Sequence, residues 1–496
     1  MPELVVSIDA GTTGITALVL DPGAEVRGRG YSEFSQSYPH PGWVEHDPNE
    51  IWDVAVRIFA AAIADAGVTA ADVAAVGITN QRETAVMWDR RTGEPIAPAI
   101  VWQCRRSAAI CDRLRADGLE EEISARTGLV IDPYFSSTKI IWYFENIDGL
   151  RKRAEAGEVL FGTVDTWLIW KMTHGEAHVT EPSNASRTML YSLEQQAWDD
   201  WILERLDIPR AILPEVLPTS GRFGVSAPGV FDAELPISGV AGDQQAALFG
   251  QACFSEGMAK NTYGTGSFLL MNTGKRVPHS QHGLLATTAW DLDGTTSFAS
   301  EGAIFVTGAA IQWMRDGLGI IGSAAETGPL AASVPDAGDT YLVPAFTGLG
   351  APHWDPYARG AYLGITRGTT KAHLARAAVE AMAYQTRDVV DAMAADSGVG
   401  LAELRVDGGA SVMDVLCQFQ ADQLGVPVRR PANLETTALG SAYLAGLAEG
   451  VWSSPEEIGR GWRAAAEFEP DASRDEADSL YEGWRKAVER SKNWAG

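Results

Sequence analysis

Cysteine, positive charge and long apolar runs are all scarce in this chain. Its four cysteines, Cys104, Cys111, Cys253 and Cys417, include no C-x-x-C pair. A disulfide framework is therefore excluded, and reduced structural thiols of a cytosolic, cytoplasmic protein are expected. Lys and Arg number 39 against 65 Asp and Glu, a formal charge of -26. That balance repels nucleic-acid backbones and anionic lipid surfaces, so neither nucleic acid nor membrane is expected as a partner. The richest apolar stretch, 58–64, is closed off by Arg57 and Asp65, and the first residues carry no basic leader-type region. Neither a membrane span nor a signal peptide is expected. The eight histidines form only two close pairs, His174/His178 and His279/His282, each without a third ligand nearby, which reads as surface histidine rather than zinc. No G-x-x-x-x-G-K-[ST] occurs, so a P-loop is excluded. The run 317–322 does match G-x-G-x-x-G, but it follows a helical stretch rather than a strand and reads as a helix terminator and loop.

What is present is a chain of 496 residues, 46% hydrophobic, enough for two α/β domains of about 250 residues each. Alternation predicts a strand over 4–9, a Gly-Thr-Thr-Gly turn, and a second strand over 15–21. Asp47 with Glu50 predicts a capping box and a helix over 48–66, with Trp52, Val56, Phe59 and Ile63 on one stripe. Strands over 73–79 and 84–89 and helices over 104–116, 137–145 and 163–172 follow. Near the middle, Tyr263-Gly264-Thr265-Gly266 between strands over 258–262 and 267–271 echoes the first turn, which suggests a duplicated device. The boundary is predicted near 250–257, giving domains 1–252 and 253–496. A helix over 370–395, a strand over 404–407 ending in Gly408-Gly409, a helix over 411–424 and a peripheral helix in the acidic segment after Glu467 complete the second half.

A nucleotide site must bring donors up to phosphate oxygens, and glycine lets the backbone approach while threonine adds a hydroxyl. Asp9-Ala10-Gly11-Thr12-Thr13 offers both with a carboxylate for a metal. Gly264-Thr265-Gly266 repeats the device, and Gly408-Gly409 before a helix offers a third close approach. Alone, each is a common turn; three in this order are a stronger signal.

With DAGTT at Asp9, NQRET at Asn80, GDQQAALFGQ at Gly242, YGTGSF at Tyr263, GLGAPHWDPYARG at Gly348 and VDGGAS at Val406, the chain resembles the FGGY family of carbohydrate kinases, and within it the members that phosphorylate glycerol. The resemblance implies two RNase H-like domains of the actin/hexokinase type around a central cleft, polyol-binding in the first and nucleotide-binding in the second. It also implies ATP and Mg²⁺, a small polyol as substrate, and a homodimer or homotetramer.

Carried over position by position, Arg82 and Glu83 match the pair that bonds the polyol hydroxyls. Trp102 and Phe268 match the aromatic walls, Tyr134 and Gln244 further contacts, and Asp243 the catalytic carboxylate. Asp9 matches the residue that holds Mg²⁺ through water. Thr12, Thr13 and Thr265 match the phosphate lining, with Gly308, Gln312, Gly409 and Met413 around the nucleotide. Two positions depart from the family pattern: Thr16 stands where arginine is usual, and Met413 where asparagine is frequent. The physical reading runs alongside, since a triol offers hydroxyls and a short carbon edge and calls for donors, acceptors and an apolar wall. In isolation, a surface ion pair for Arg82 and Glu83, core packing for Trp102 and Phe268, and a helix cap for Asp243 are the blander readings. ATP-dependent phosphorylation of glycerol to glycerol 3-phosphate, with an aspartate general base, is the expected activity. A kinase for another small polyol or sugar such as erythritol or a pentulose, and a non-kinase ATPase of the same fold, are the alternatives; a dehydrogenase resting on 317–322 lacks the strand its turn requires.

Overall fold

Val5, Val6 and Ile8 are fully buried in strand Leu4–Ala10 (β1) of the computed structural model, which describes residues 3–496. A strand buried on both faces belongs inside a sheet covered on both sides. β1 turns at Gly11–Thr13 into the antiparallel strand Gly14–Leu20 (β2), which pairs with Val26–Glu33 (β3). On its other edge β1 runs parallel to Val73–Asn80 (β4), and β4 runs parallel to Pro236–Gly242 (β5). The three parallel strands end together, with Ala10 opposite Asn80 and Asn80 opposite Gly242. The carboxyl ends of parallel strands are where open α/β sheets place ligands.

Helix Pro48–Ala66 (α1) is capped by Asp47, whose carboxylate accepts from the Asn49 N–H at 2.9 Å. The reciprocal half of the predicted capping box is not made: Glu50 instead accepts from the backbone N–H and hydroxyl of Ser35, both at 3.0 Å. The buried stripe is also rotated from the prediction. Ile51, Ala55, Ile58, Phe59 and Ala62 are buried, while Trp52, Val56 and Ile63 are half-buried. The cause lies on β3: a Cβ on Gly28 would stand 2.4 Å from the Ala62 carbonyl, and one on Gly30 would stand 2.6 Å from that of Ile58. The helix backbone rests on these two glycines at Ile58 and Ala62, which draws that side of the helix inward.

The chain forms two compact units. The first comprises the chain up to Ala252 with Ala286–Phe298 and Glu435–Gly461; the second comprises Cys253–Leu285, Ala299–Leu434 and Trp462–Gly496. A single cut at 252/253 therefore does not divide the molecule. Helix Thr436–Ala448, buried along nearly its whole length, packs on helix Asp243–Gly250 (α2) and on β4 and β5 of the first unit.

In the second unit, Met258–Tyr263 (β6) makes a hairpin with Ser267–Gly274 (β7) and runs parallel to Glu403–Gly408 (β8). The local plan around β1 is thus repeated. Its longer helices are Gly308–Asp316 (α3), Lys371–Ser397 (α4), Asp414–Leu424 (α5) and Arg474–Ser491 (α6). α5 begins later than predicted because a 3₁₀ turn, Gly409–Val412, and an extended Met413 precede it. α6 is not peripheral. Trp484 is fully buried, stacks on Tyr384 of α4 at 5.4 Å, and donates its indole N–H to Asp388 at 2.8 Å; the acidic flank had masked this apolar face. All four cysteines are buried. No helix among the described residues is long and apolar enough to cross a membrane.

Candidate active site

Arg82, just past β4, is buried at the carboxyl end of the first unit's parallel strands. Its guanidinium donates to Gln245 Oε1 at 3.2 Å and to the Tyr134 hydroxyl at 3.4 Å. Its Nε stands 3.4 Å from Asp243 Oδ1 and 3.8 Å from Glu83 Oε1. The side chain crosses the end of β5 so closely that a Cβ on Gly242 would lie 2.8 Å from both Cγ and Cδ of Arg82. Glycine is therefore required immediately before Asp243. Glu83 adopts a left-handed backbone with φ 61°, a conformation that persists only when its surroundings hold it. They do: its carboxylate accepts from Arg187 Nε–H at 2.7 Å, and its carbonyl from the Ser136 hydroxyl at 2.9 Å. Arg187 is itself fully buried, over the rings of Tyr134 at 5.5 Å and Phe135 at 5.3 Å. The ion-pair reading of Arg82 and Glu83 holds, but at the interior of the unit rather than its surface.

Trp102 and Tyr134 form an edge-to-face pair at 5.5 Å, and the Trp102 indole N–H donates to the Thr12 hydroxyl at 2.9 Å. This joins the aromatic wall to the turn after β1. The turn's carbonyls are held by two glutamines: Gln81 donates to Gly11 O at 3.1 Å and Gln36 to Thr12 O at 3.0 Å. His46 links them. Burial pushes its imidazole down to about 4, and the neutral ring fits with Nε2–H donating to Gln36 Oε1 at 2.7 Å and Nδ1 accepting from Gln81 at 3.3 Å, a tautomer inferred from the network. Thr13, the last residue of the turn, is exposed.

Asp243 is the first residue of α2, with Gly242 in the cap position. Its carboxylate accepts from the Gln244 N–H at 2.7 Å and its side chain is 27% exposed. Asp243 is thus no ordinary N-cap. Gln244 beside it is half-buried.

Asp9 closes β1. Burial pushes its carboxyl up to about 8, and the charges of Asp243 and Glu435 add to the effect. Asp243 and Glu435 have cations of their own in Arg82 at 3.4 Å and Arg29 at 3.0 Å, so Asp9 is the buried acid whose charge a divalent ion, as Mg²⁺ would be, could balance. The unfolded carboxyl titrates near 3.8, so between that pH and about 8 the unfolded state releases a proton that the folded state keeps, and rising pH erodes stability. In divalent-free buffer, the melting-temperature advantage of Asp9→Asn over wild type is expected to grow from about pH 5 to about pH 8, while ATP-dependent turnover falls. An advantage that shrinks as pH rises would contradict this placement of the acid.

In the second unit, Thr265, Gly308, Gln312, Gly409 and Met413 all line one cavity of about 690 Å³, together with Ala325, Gly328 and Val412. The turn after β6 is locked to the start of α3: Gly308 N–H donates to Gly264 O and Ala309 N–H to Thr265 O, both at 3.0 Å. The volume lies within the range of small-molecule sites, and the wall is largely apolar with a few polar groups. Phe268 lies half-buried on β7 of this unit.

A sheet hairpin with a Gly-Thr turn in each unit, a buried arginine–carboxylate cluster in the first and an open nucleotide-sized cavity in the second define a phosphotransferase of the carbohydrate-kinase type. The pattern of the FGGY family of carbohydrate kinases, N-terminal domain, matches residues 4–250, and that of its C-terminal domain matches residues 259–449. The chain belongs to the FGGY family of carbohydrate kinases. Glycerol kinase 2 of Thermotoga maritima is 58% identical over 492 residues, 99% of this chain and 99% of that protein. Glycerol kinase of Carboxydothermus hydrogenoformans is 56% identical over 493 residues, again 99% of each. Among solved structures, Plasmodium falciparum glycerol kinase with ADP superposes with a TM-score of 0.94 at 33% identity, covering 98% of each chain. A gluconate kinase from Lactobacillus acidophilus reaches 0.88 at 19% identity, covering 98% of this chain and 97% of that one, which is a likeness of fold alone.

Arg187, Gln245 and the Gln36–His46–Gln81 chain were not singled out from sequence. Gln81 and Gln245 lie inside the quoted NQRET and GDQQAALFGQ motifs, but the partners that give Arg187, Gln245 and Gln81 their roles lie 35 to 163 residues away. Arg187 does stand in the otherwise neutral run 182–193, which is the one signal that could have marked it.

Proposed function

We propose that the Arg82 cluster of the first unit binds the acceptor polyol and presents its hydroxyl to Asp243, and that the cavity of the second unit takes the adenine nucleotide. The protein catalyses ATP-dependent phosphorylation of glycerol, as full-length relatives more than half identical to it do by name. The observation that carries the acceptor assignment is the Arg82 guanidinium, buried among Gln245, Tyr134, Glu83 and Asp243. Buried donors and acceptors arranged to meet hydroxyls reject analogues that lack them.

In the reaction, the acceptor hydroxyl gives its proton to Asp243 as its oxygen forms the new bond to the γ-phosphorus, and the bond from that phosphorus to the ADP oxygen breaks. Positioning and charge stabilisation supply most of such catalysis. Trp102 and Tyr134 exclude water from the carbon edge of the polyol, and Glu83, oriented by Arg187, accepts from a hydroxyl. Asp9 would hold Mg²⁺, which supplies charge neutralisation on the phosphates when bound. Thr12 and Thr13 offer hydroxyls to phosphate in the first unit; in the second, Thr265 offers one beside Gly308, Gln312, Gly409 and Met413, which surround the nucleoside. The test is ADP release with glycerol, erythritol, xylulose and gluconate compared in one assay. Glycerol is expected to give the highest kcat/KM; faster turnover of the pentulose, or equal ADP release without acceptor, would overturn the reading.

Thr16 faces Asp9 directly across the β1–β2 pair. Side chains so paired lie on the same face of the sheet, so an arginine there would bring a cation beside Asp9 and the phosphate turn. A charge-assisted bond is worth roughly 1.5 to 3 kcal/mol. Thr16→Arg is accordingly expected to lower the ATP KM by about tenfold or more, with kcat little changed. An unaltered ATP KM would show that position 16 does not reach the nucleotide.

A further inference from the structure

Glu181 is completely buried. It caps the short helix Pro182–Ala185 with both oxygens, and each oxygen also takes donors beyond the cap's two backbone N–H groups. Oε1 accepts from the Ser183 hydroxyl at 2.5 Å, the Asn184 N–H at 2.6 Å and the Asn184 side-chain amide at 3.1 Å. Oε2 accepts from the Ser183 N–H at 2.7 Å and the Thr219 hydroxyl at 3.1 Å. All of these donors are neutral. Burial pushes the Glu181 carboxyl up to about 7; a buried acid with no cation beside it is costly, and the side-chain donors it gathers beyond the cap need another account.

The two residues it orients carry the strand ends that bear the site. The Ser183 hydroxyl, giving its proton to Glu181, accepts from the Gly242 N–H at 2.9 Å, and Gly242 directly precedes Asp243. The Asn184 amide donates to Asn80 Oδ1 at 3.1 Å while its own oxygen accepts from Asn80 at 3.0 Å, and Asn80 ends β4 just before Arg82 and Glu83. Asn80 and Gly242 are direct partners across the parallel pair.

We propose that Glu181 is a positioning residue that brackets both strand ends, setting Asp243 through Ser183 and setting Arg82 and Glu83 through Asn184. The inference rests on the acceptor and base assignments above. An amide at 181 would turn an N–H₂ toward donors that cannot all reverse, since the Ser183 and Asn184 backbone N–H groups are fixed donors.

The experiment compares Glu181→Gln, Ser183→Ala and Asn184→Ala in the full-length protein by kcat, glycerol KM and melting temperature. Wild-type turnover of glycerol is measured first. A wild type inactive on glycerol counts against the functional reading; an active wild type with unresponsive variants counts against the bracket. Displacements of about 1 Å at a reacting group can cost on the order of a hundredfold. Ser183→Ala is expected to lower kcat by about tenfold or more with glycerol KM within about twofold, and Asn184→Ala to raise glycerol KM by about tenfold with a smaller change in kcat. Glu181→Gln should do both. If Glu181→Gln does not fold, the single-arm variants decide. Lowered melting temperatures with unchanged kcat and KM in all folded variants would reduce Glu181 to a helix cap and overturn the proposal.

Discussion

Asp243→Asn is expected to fold, to bind glycerol and ATP, and to lose about 10² to 10⁴ in kcat, the usual contribution of a general base. The alcohol is a poor nucleophile until its proton has somewhere to go. The structure sharpens the contrast with a capping role: Gly242 occupies the cap position, and the Asp243 carboxylate accepts from the adjacent Gln244 N–H. Asparagine retains that acceptor oxygen and should cost little stability, since it serves about as well as aspartate at helix starts. It also removes the negative partner of the Arg82 Nε at 3.4 Å, so a modest rise in glycerol KM is expected beside the large fall in kcat. Near wild-type kcat in the folded variant would remove Asp243 from the mechanism.

Arg82→Ala is expected to be the most damaging change on the binding side, and for two separable reasons. It leaves buried Gln245 and half-buried Tyr134 without the guanidinium they face, while Glu83 keeps Arg187 at 2.7 Å; stranding the polar partners of a lost buried hydrogen bond costs about 1 to 3 kcal/mol of stability. It also deletes the donor aimed at the acceptor, so kcat/KM for glycerol should fall by about tenfold to a hundredfold. Arg82→Lys separates the two. Lysine restores the charge in the cluster and should recover much of the melting temperature. It cannot reproduce the planar fork that reaches Gln245 and Tyr134 together, so kcat/KM should stay low. Recovery of both quantities by lysine would mean that charge alone matters at this position.

The elements that sequence identifies well are those governed by local rules. The Gly-Thr turns, the span of α1 and the place of Asp243 at the start of a helix all follow from residue types a few positions apart. The rotation of α1 does not, because it depends on Gly28 and Gly30, which lie on a strand some thirty residues away. Nor does the assignment of helix Thr436–Ala448 to the first unit. That helix is mostly small and apolar around its whole circumference, so nothing in its pattern says which sheet it covers. In the site, Arg82 and Glu83 were legible as neighbours within a motif, whereas the residues that hold them, Arg187 and Gln245, act over sequence separations of 104 and 163. Buried polar networks of this kind become visible only when the strands that carry them are placed in register.

The most direct test of the phosphotransfer claim follows the phosphoryl group itself. The protein is incubated with γ-labelled ATP and glycerol, and the label is traced among ATP, glycerol 3-phosphate and inorganic phosphate. The label is expected on the terminal oxygen of glycerol, in step with ADP formed, and to stay on ATP when glycerol is left out. Label released as inorganic phosphate at the same rate with and without glycerol would contradict the account.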